Sequence, residues 1–138
     1  ENLSMNLSLA PGLLEDMISH AKAARPREGC GLLAGSQNAA ERFIPMANIQ
    51  ASETEYEMDP QRLVEELRFL RESGEQLVAI YHSHPFGAAR PSERDVRLAY
   101  YPSAAYIIIS LADPAKPQVG AFRIIAGEIL EIEVHVIV

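Results

Sequence analysis

Apolar positions recur at helical spacing between Pro11 and Ala24, where Leu13, Leu14, Met17, Ile18 and Ala21 fall on one stripe. Pro11 suits the first turn of that helix, and Arg25-Pro26-Arg27 ends it, because a residue before proline is pushed out of the helical region. The pattern then shortens. Gly29 to Gly35 (GCGLLAG) is an apolar run between glycines and reads as a strand. Ser36-Gln37-Asn38 has turn chemistry, and Glu41 to Ile49 returns as a second strand whose Pro45 implies an edge or a bulge. Ala51 to Met58 is a polar loop. A second helix follows, with Asp59 as N-cap, Pro60 at its first position, Leu63, Leu67 and Leu70 on one face, and Gly74 as C-cap.

Gln76 to His82 reads as a compact strand, and a third helix runs from Ser92 to about Tyr100. Ala105 to Leu111 is almost wholly apolar, as a central strand buried on both faces should be. Asp113 to Pro117 is a turn. Val119 to Ile125 and Glu128 to Val138 form a hairpin across Ala126-Gly127, the last strand turning Leu130, Ile132, Val134 and Val136 inward. Strands are grouped around inserted helices and do not alternate strictly with them. The pattern therefore predicts an α+β fold, a mixed central sheet flanked by helices.

With 138 residues and no repeat, low-complexity tract or linker, residues 1–138 read as a single domain. Hydrophobic residues at 48% and charged residues at 22% exclude disorder. One cysteine excludes an internal disulfide and a multi-cysteine zinc site. A net charge of −7 without a basic cluster argues against nucleic acid as a partner. No apolar run has the length of a membrane span, and the polar start does not resemble a signal peptide, so a soluble, cytoplasmic protein is expected. Residues Glu1 to Ser4 precede a candidate native start at Met5. Nothing in the pattern fixes an oligomeric state.

Chemistry concentrates between Tyr81 and Asp95. His82 and His84 alternate at a strand end, so both imidazoles point the same way and can reach one metal. A short loop leads to a helix with Asp95 on its first turn, a candidate third ligand. Three protein ligands leave a fourth tetrahedral position open, the mark of a catalytic site. The competing reading of Ser92-x-x-Asp95 is a capping box, with Ser92 as N-cap and an acid at the third position; the two are compatible. His20 and His135 read as structural or surface residues. Cys30 reads as a small buried side chain packing its strand, with a thiol near a metal as the lesser alternative. Gly31 and Gly35 read as positions of close backbone approach. Tyr100 and Tyr101 suit either a groove or the core, and Tyr106 the core.

The stretch H-S-H-P-x6-S-x-x-D from His82 to Asp95 resembles the signature of the JAMM (MPN+, Mov34-type) metalloproteases. Glu28, in Glu28-Gly29-Cys30-Gly31-Leu32-Leu33-Ala34-Gly35, is similar to the upstream glutamate of that family. The resemblance implies a JAMM/MPN, cytidine-deaminase-like architecture and one Zn2+ per chain held by His82, His84 and Asp95. It implies Glu28 as general base for a zinc-activated water and proton donor to the leaving amine, and Ser92 as hydrogen-bond donor to the oxyanion. The segments Ala51–Met58 and Leu98–Ala104 are short where polyubiquitin-cutting relatives carry insertions. The chain therefore resembles a minimal prokaryotic-type member, of the kind that processes a small ubiquitin-like or sulfur-carrier protein with a C-terminal Gly-Gly and releases cysteine made on it. Peptide and isopeptide bonds both stay open. The alternatives are an inactive MPN-type binding scaffold, a RadC-like DNA-associated protein, and a hydrolase of small amides.

Overall fold

The computed structural model describes residues 4–50 and 52–138, so Glu1 to Leu3, ahead of the candidate start at Met5, and Ala51, the first residue of the polar loop, lie outside the described residues. The elements are β1 (Asn6–Leu9), α1 (Leu13–Ala24), β2 (Cys30–Ser36), β3 (Ala39–Met46), α2 (Pro60–Ser73), β4 (Gln76–His84), α3 (Glu93–Arg97), β5 (Ala105–Ser110), β6 (Gln118–Ile125), β7 (Glu128–Glu131) and β8 (Glu133–Val136). All eight strands join one sheet in the order β7-β6-β5-β4-β2-β3-β1-β8. The pairs β4–β5, β1–β3 and β1–β8 are parallel; the other pairs are antiparallel. The sheet is thus mixed, as the grouping of strands predicts.

Two apolar layers cover its faces. On one, Leu13, Met17 and Ala21 of α1 meet Leu33, Ala79, Tyr81, Ile107 and Ile109. On the other, Leu70 of α2, with Leu63 and Leu67 at its margin, meets Leu32, Ile80, Tyr106 and Ile108. Every residue of β5 is buried, the expected result for a central strand. Each of Ile107, Ile108 and Ile109 contributes roughly 1.5–3 kcal/mol by that burial. Alternation in β4 consequently points Tyr81 toward α1, and Ile80 and the histidines toward α2.

Several sequence expectations change at the ends of elements. α1 starts at Leu13, not Pro11; Gly12, with φ 81°, makes the entry without a side-chain cap. β4 runs on through both histidines to His84. α3 stops at Arg97, three residues short of Tyr100, after little more than one turn. β1 was not expected, since Asn-Leu-Ser-Leu is too short to stand out. It forms because it fits between β3 and β8. The long final strand is two strands. The chain leaves β6 at Ile132, and β8 crosses to pair with β1. Ile132 is buried and Leu130 and Val134 partly so, but Val136 is exposed, contrary to its expected inward position. Because β7 and β8 close opposite ends of the strand order and only Ile132 separates them, the sheet must curl back on itself.

Other local readings hold. Asp59 accepts from the Gln61 N–H (3.1 Å), and Gly74 takes a left-handed φ of 79° as C-cap. Ala126 and Gly127, at φ 53° and 83°, make the two-residue turn between β6 and β7. Pro45 pairs with Gly31 of β2, while β1 reaches only Ala39 and Ala40 on the other side of β3, so Pro45 lies where that side carries no paired strand among the described residues. The register shift lies at Ala34/Gly35, where a Cβ on Gly35 would collide with the Ala39 carbonyl. Among the described residues no helix is long and apolar enough to cross a membrane.

Candidate metal centre and active site

His82, His84 and Asp95 meet at one point. Both imidazole Nε2 atoms lie 3.1 Å from Asp95 Oδ2 and 3.2 Å from each other. β4 carries the two rings on one side, and α3, starting immediately after the loop that follows Pro85, brings the carboxylate across. The capping box is fully formed. Ser92 Oγ accepts from the Asp95 N–H (3.1 Å), and Asp95 Oδ2 accepts from the Ser92 N–H (3.0 Å). Cap and ligand readings of Asp95 therefore coexist, and the cap fixes the carboxylate.

The donor set fits a cation. Donors at 2.0–2.1 Å from a tetrahedral zinc stand about 3.3 Å apart, close to the spacing seen here. His84 Nδ1 lies 2.7 Å from the Ala88 carbonyl, which can only accept, so Nδ1 carries a proton; Nε2 donates a second proton to Asp95 in the imidazolium, and loss of that proton frees the Nε2 lone pair for a metal. Burial penalises charge on Asp95, but hydrogen bonds from His82 and His84 outweigh it and hold the carboxyl far below its usual range. Burial keeps His82 neutral by pushing its pKa down. For His84, burial is outweighed by the bonds to Asp95 and the Ala88 carbonyl, and its pKa rises. His82 Nδ1 has no partner among the described residues.

Glu28 sits just before β2, only 4% exposed, with Oε1 unpaired among the described residues. Its carboxylate comes within 4.8 Å of the donor atoms of both histidines. Burial raises its pKa to about 7, with His84 acting against and Asp95 with that rise. Its backbone is held on both sides. The Glu28 N–H donates to the Ser52 carbonyl (2.8 Å), Asn48 Nδ2 donates to the Glu28 carbonyl (3.0 Å), and the adjoining Gly29 N–H donates to Ser83 Oγ (2.7 Å).

Asn48, Ser83 and Tyr56 are the residues that sequence reasoning missed. Asn48 also receives the Gln50 and Glu57 N–H groups and so ties the 48–57 loop together. Tyr56 stacks on His82 at 4.6 Å between ring centroids. Tyr56→Ala is expected to weaken metal binding about 10- to 100-fold, as loss of a ligand-orienting neighbour does, while Tyr56→Phe retains it; competitive chelator titration measures this.

Cys30 is fully buried, with Sγ 3.5 Å from the Met46 carbonyl, and burial pushes its thiol pKa up to about 12. It is a packing residue. His20 lies 3.1 Å from the Tyr81 hydroxyl, and His135 sits at β8 beside Asn6, so each ring is engaged with a residue other than His82, His84 and Asp95. Beside Asp95 opens a groove of about 410 Å³ lined by Tyr56, Met58, Leu63, Leu98, Tyr100 and Tyr106 among others. Tyr106 is core as expected, its hydroxyl accepting from the Tyr101 N–H (3.1 Å), and Tyr100 is exposed.

A mixed sheet that gathers two strand histidines, a helix-capping aspartate and a buried glutamate defines a JAMM-type metallopeptidase of the MPN+ class. The family model described as prokaryotic homologs of the JAB domain matches residues 10–125, and the chain belongs to that family. It is 37% identical over 133 residues to a CysO-cysteine peptidase of Mycobacterium tuberculosis, covering 95% of this chain and 91% of that one. The solved structure of protein DSY2949 from Desulfitobacterium hafniense superposes with a TM-score of 0.83 at 36% identity, over 95% of this chain and 92% of that one. A structure described as "JAMM: A Metalloprotease-like Zinc Site in the Proteasome and Signalosome" shares the fold, with a TM-score of 0.62 at 24% identity over 99% of this chain and 100% of that one.

Proposed function

We propose that this chain is a zinc peptidase that hydrolyses the bond after the C-terminal Gly-Gly of a small ubiquitin-like or sulfur-carrier protein. The observation that carries the reading is the convergence of His82, His84 and Asp95 within 3.2 Å, with the unpaired Glu28 carboxylate beside them. The likeness to a CysO-cysteine peptidase supports the substrate class. His82, His84 and Asp95 would hold the metal. A zinc ion, when bound there, supplies a Lewis acid that lowers the pKa of water to about 7 and polarises the scissile carbonyl.

Glu28 removes the proton from the attacking water at its carboxylate and delivers it to the leaving nitrogen, without which an amine does not depart. A pKa near neutrality suits both halves of that transfer. Ser92 accepts the Asp95 N–H through an oxygen lone pair, so its own O–H is free to donate to the oxyanion. Ser92→Ala should therefore lower kcat while leaving zinc bound, and cost about 1 kcal/mol of stability through loss of the cap. A lower Tm with an unchanged kcat would leave Ser92 a cap alone.

The groove beside Asp95 suits an extended apolar tail, and terminal glycines let its backbone pass close to the metal. The segments at 51–58 and 98–104 are too short to wall in a second folded protein beyond the scissile bond, so the group there can be one amino acid. We expect faster cleavage of a carrier ending in Gly-Gly plus a single residue than of linked ubiquitin chains. Mass spectrometry of both substrates after incubation with enzyme and zinc tests this, and the reverse order would overturn the substrate preference.

A further inference from the structure

A second hollow adjoins Glu28 at the end of α1. A hollow of about 580 Å³ is lined by His20, Ala24, Arg25, Arg27, Glu28 and Asn48 among others, whereas the tyrosine-lined groove lies on the side of Asp95. Arg25 and Arg27 are exposed, and among the described residues neither forms an ion pair. Arg94, which faces the groove, is already paired with Glu55 at 3.4 Å. Arg25 also lies over the Phe86 ring, 5.4 Å from its centroid, so the end of α1 is joined to the loop that follows His84.

This matters for charge. A single amino acid at the end of a carrier presents a free α-carboxylate next to the scissile amide. Glu28 and Asp95 repel that charge, and cations close to Glu28 would offset the repulsion. We propose that Arg25 and Arg27 form a subsite for the α-carboxylate of the departing amino acid. This rests on the peptidase reading above and narrows its substrate to conjugates with a free C-terminal carboxylate; an isopeptide-linked lysine side chain offers no such group. Arginine suits the role because its planar fork binds a carboxylate through two hydrogen bonds.

The test uses two carriers that differ only in the last residue, one ending in a free carboxylate and the other in a carboxamide. The zinc-loaded wild-type chain is expected to show a KM about tenfold lower for the carboxylate, the scale of one charge-assisted hydrogen-bond pair. In Arg25→Gln/Arg27→Gln that preference should fall toward unity, and in Arg25→Lys/Arg27→Lys part of it should return. Calorimetric binding of both carriers to the Glu28→Gln chain should give the same ratio without turnover. Equal KM values for the two carriers in wild type, or a preference that survives the double Gln change, would overturn the subsite and leave the peptidase reading standing. Cleavage of neither carrier would overturn that reading and the subsite with it.

Discussion

Asp95→Asn should abolish stoichiometric zinc binding and lower peptide cleavage about 10³-fold or more, because a metal centre contributes several kcal/mol to such a reaction. One oxygen, Oδ2, lies 3.1 Å from both imidazole nitrogens and also accepts the Ser92 N–H. Burial works against its charge, but the hydrogen bonds with the two histidines outweigh that and hold the carboxyl far below its usual range, so it carries a negative charge at neutral pH. An asparagine keeps the size and can still cap the helix, but removes that charge. Elemental analysis after dialysis reads the metal directly. One zinc per chain in Asp95→Asn would remove Asp95 from the ligand set. His135→Ala is the control and should keep its zinc, since His135 is occupied with Asn6 and Glu133 at the far edge of the sheet.

Glu28→Gln should do the opposite to the metal and nearly the same to the rate. No ligand is touched, so zinc stays, while loss of the proton carrier lowers turnover about 10²- to 10⁴-fold. Stability supplies an independent readout. Burial raises the Glu28 pKa from 4.5 to about 7 in the folded chain. A raised pKa contributes stability that is fully present below the unfolded value, and that contribution is lost as pH rises through the folded value. At pH 8 the metal-free wild type therefore carries an unfavourable buried charge that glutamine lacks. Metal-free Glu28→Gln should melt above metal-free wild type at pH 8, and the gap should close below about pH 4.5. Near-wild-type turnover on a Gly-Gly conjugate would refute the assigned role.

What the sequence made readable was local. The alternation of His82 and His84 needs only strand geometry, and Ser92-x-x-Asp95 needs only the first turn of a helix; both stand as expected. Caps at Asp59 and Gly74 and the Ala126-Gly127 turn are likewise decided within a few residues. The reading failed where distant chain decides. β1 has no pattern of its own and exists through β3 and β8. The terminal alternation from Leu130 to Val136 hides a change of partner at Ile132. Tyr56 lies in a stretch read as a plain polar loop, and Asn48 in the predicted strand Glu41 to Ile49, beyond the observed end of β3 at Met46. Their importance comes from contacts with His82, 26 positions away by numbering, and Glu28, 20 positions away. The resemblance to the JAMM proteases brought Glu28 to the histidines, which composition and periodicity could not do.

The curl of the sheet has a consequence for how the molecule opens. Among the described residues β8 pairs with β1 alone, Asn6 opposite Glu133 through Leu9 opposite Val136, so these two strands hold each other. Neither can fray without releasing its partner's amides to solvent. In hydrogen exchange these amides should behave as one cooperative unit, opening before β4 and β5, which sit mid-sheet with both faces covered. That unit can breathe while the strand bearing His82 and His84 stays closed, which separates the opening of β1 and β8 from the metal centre.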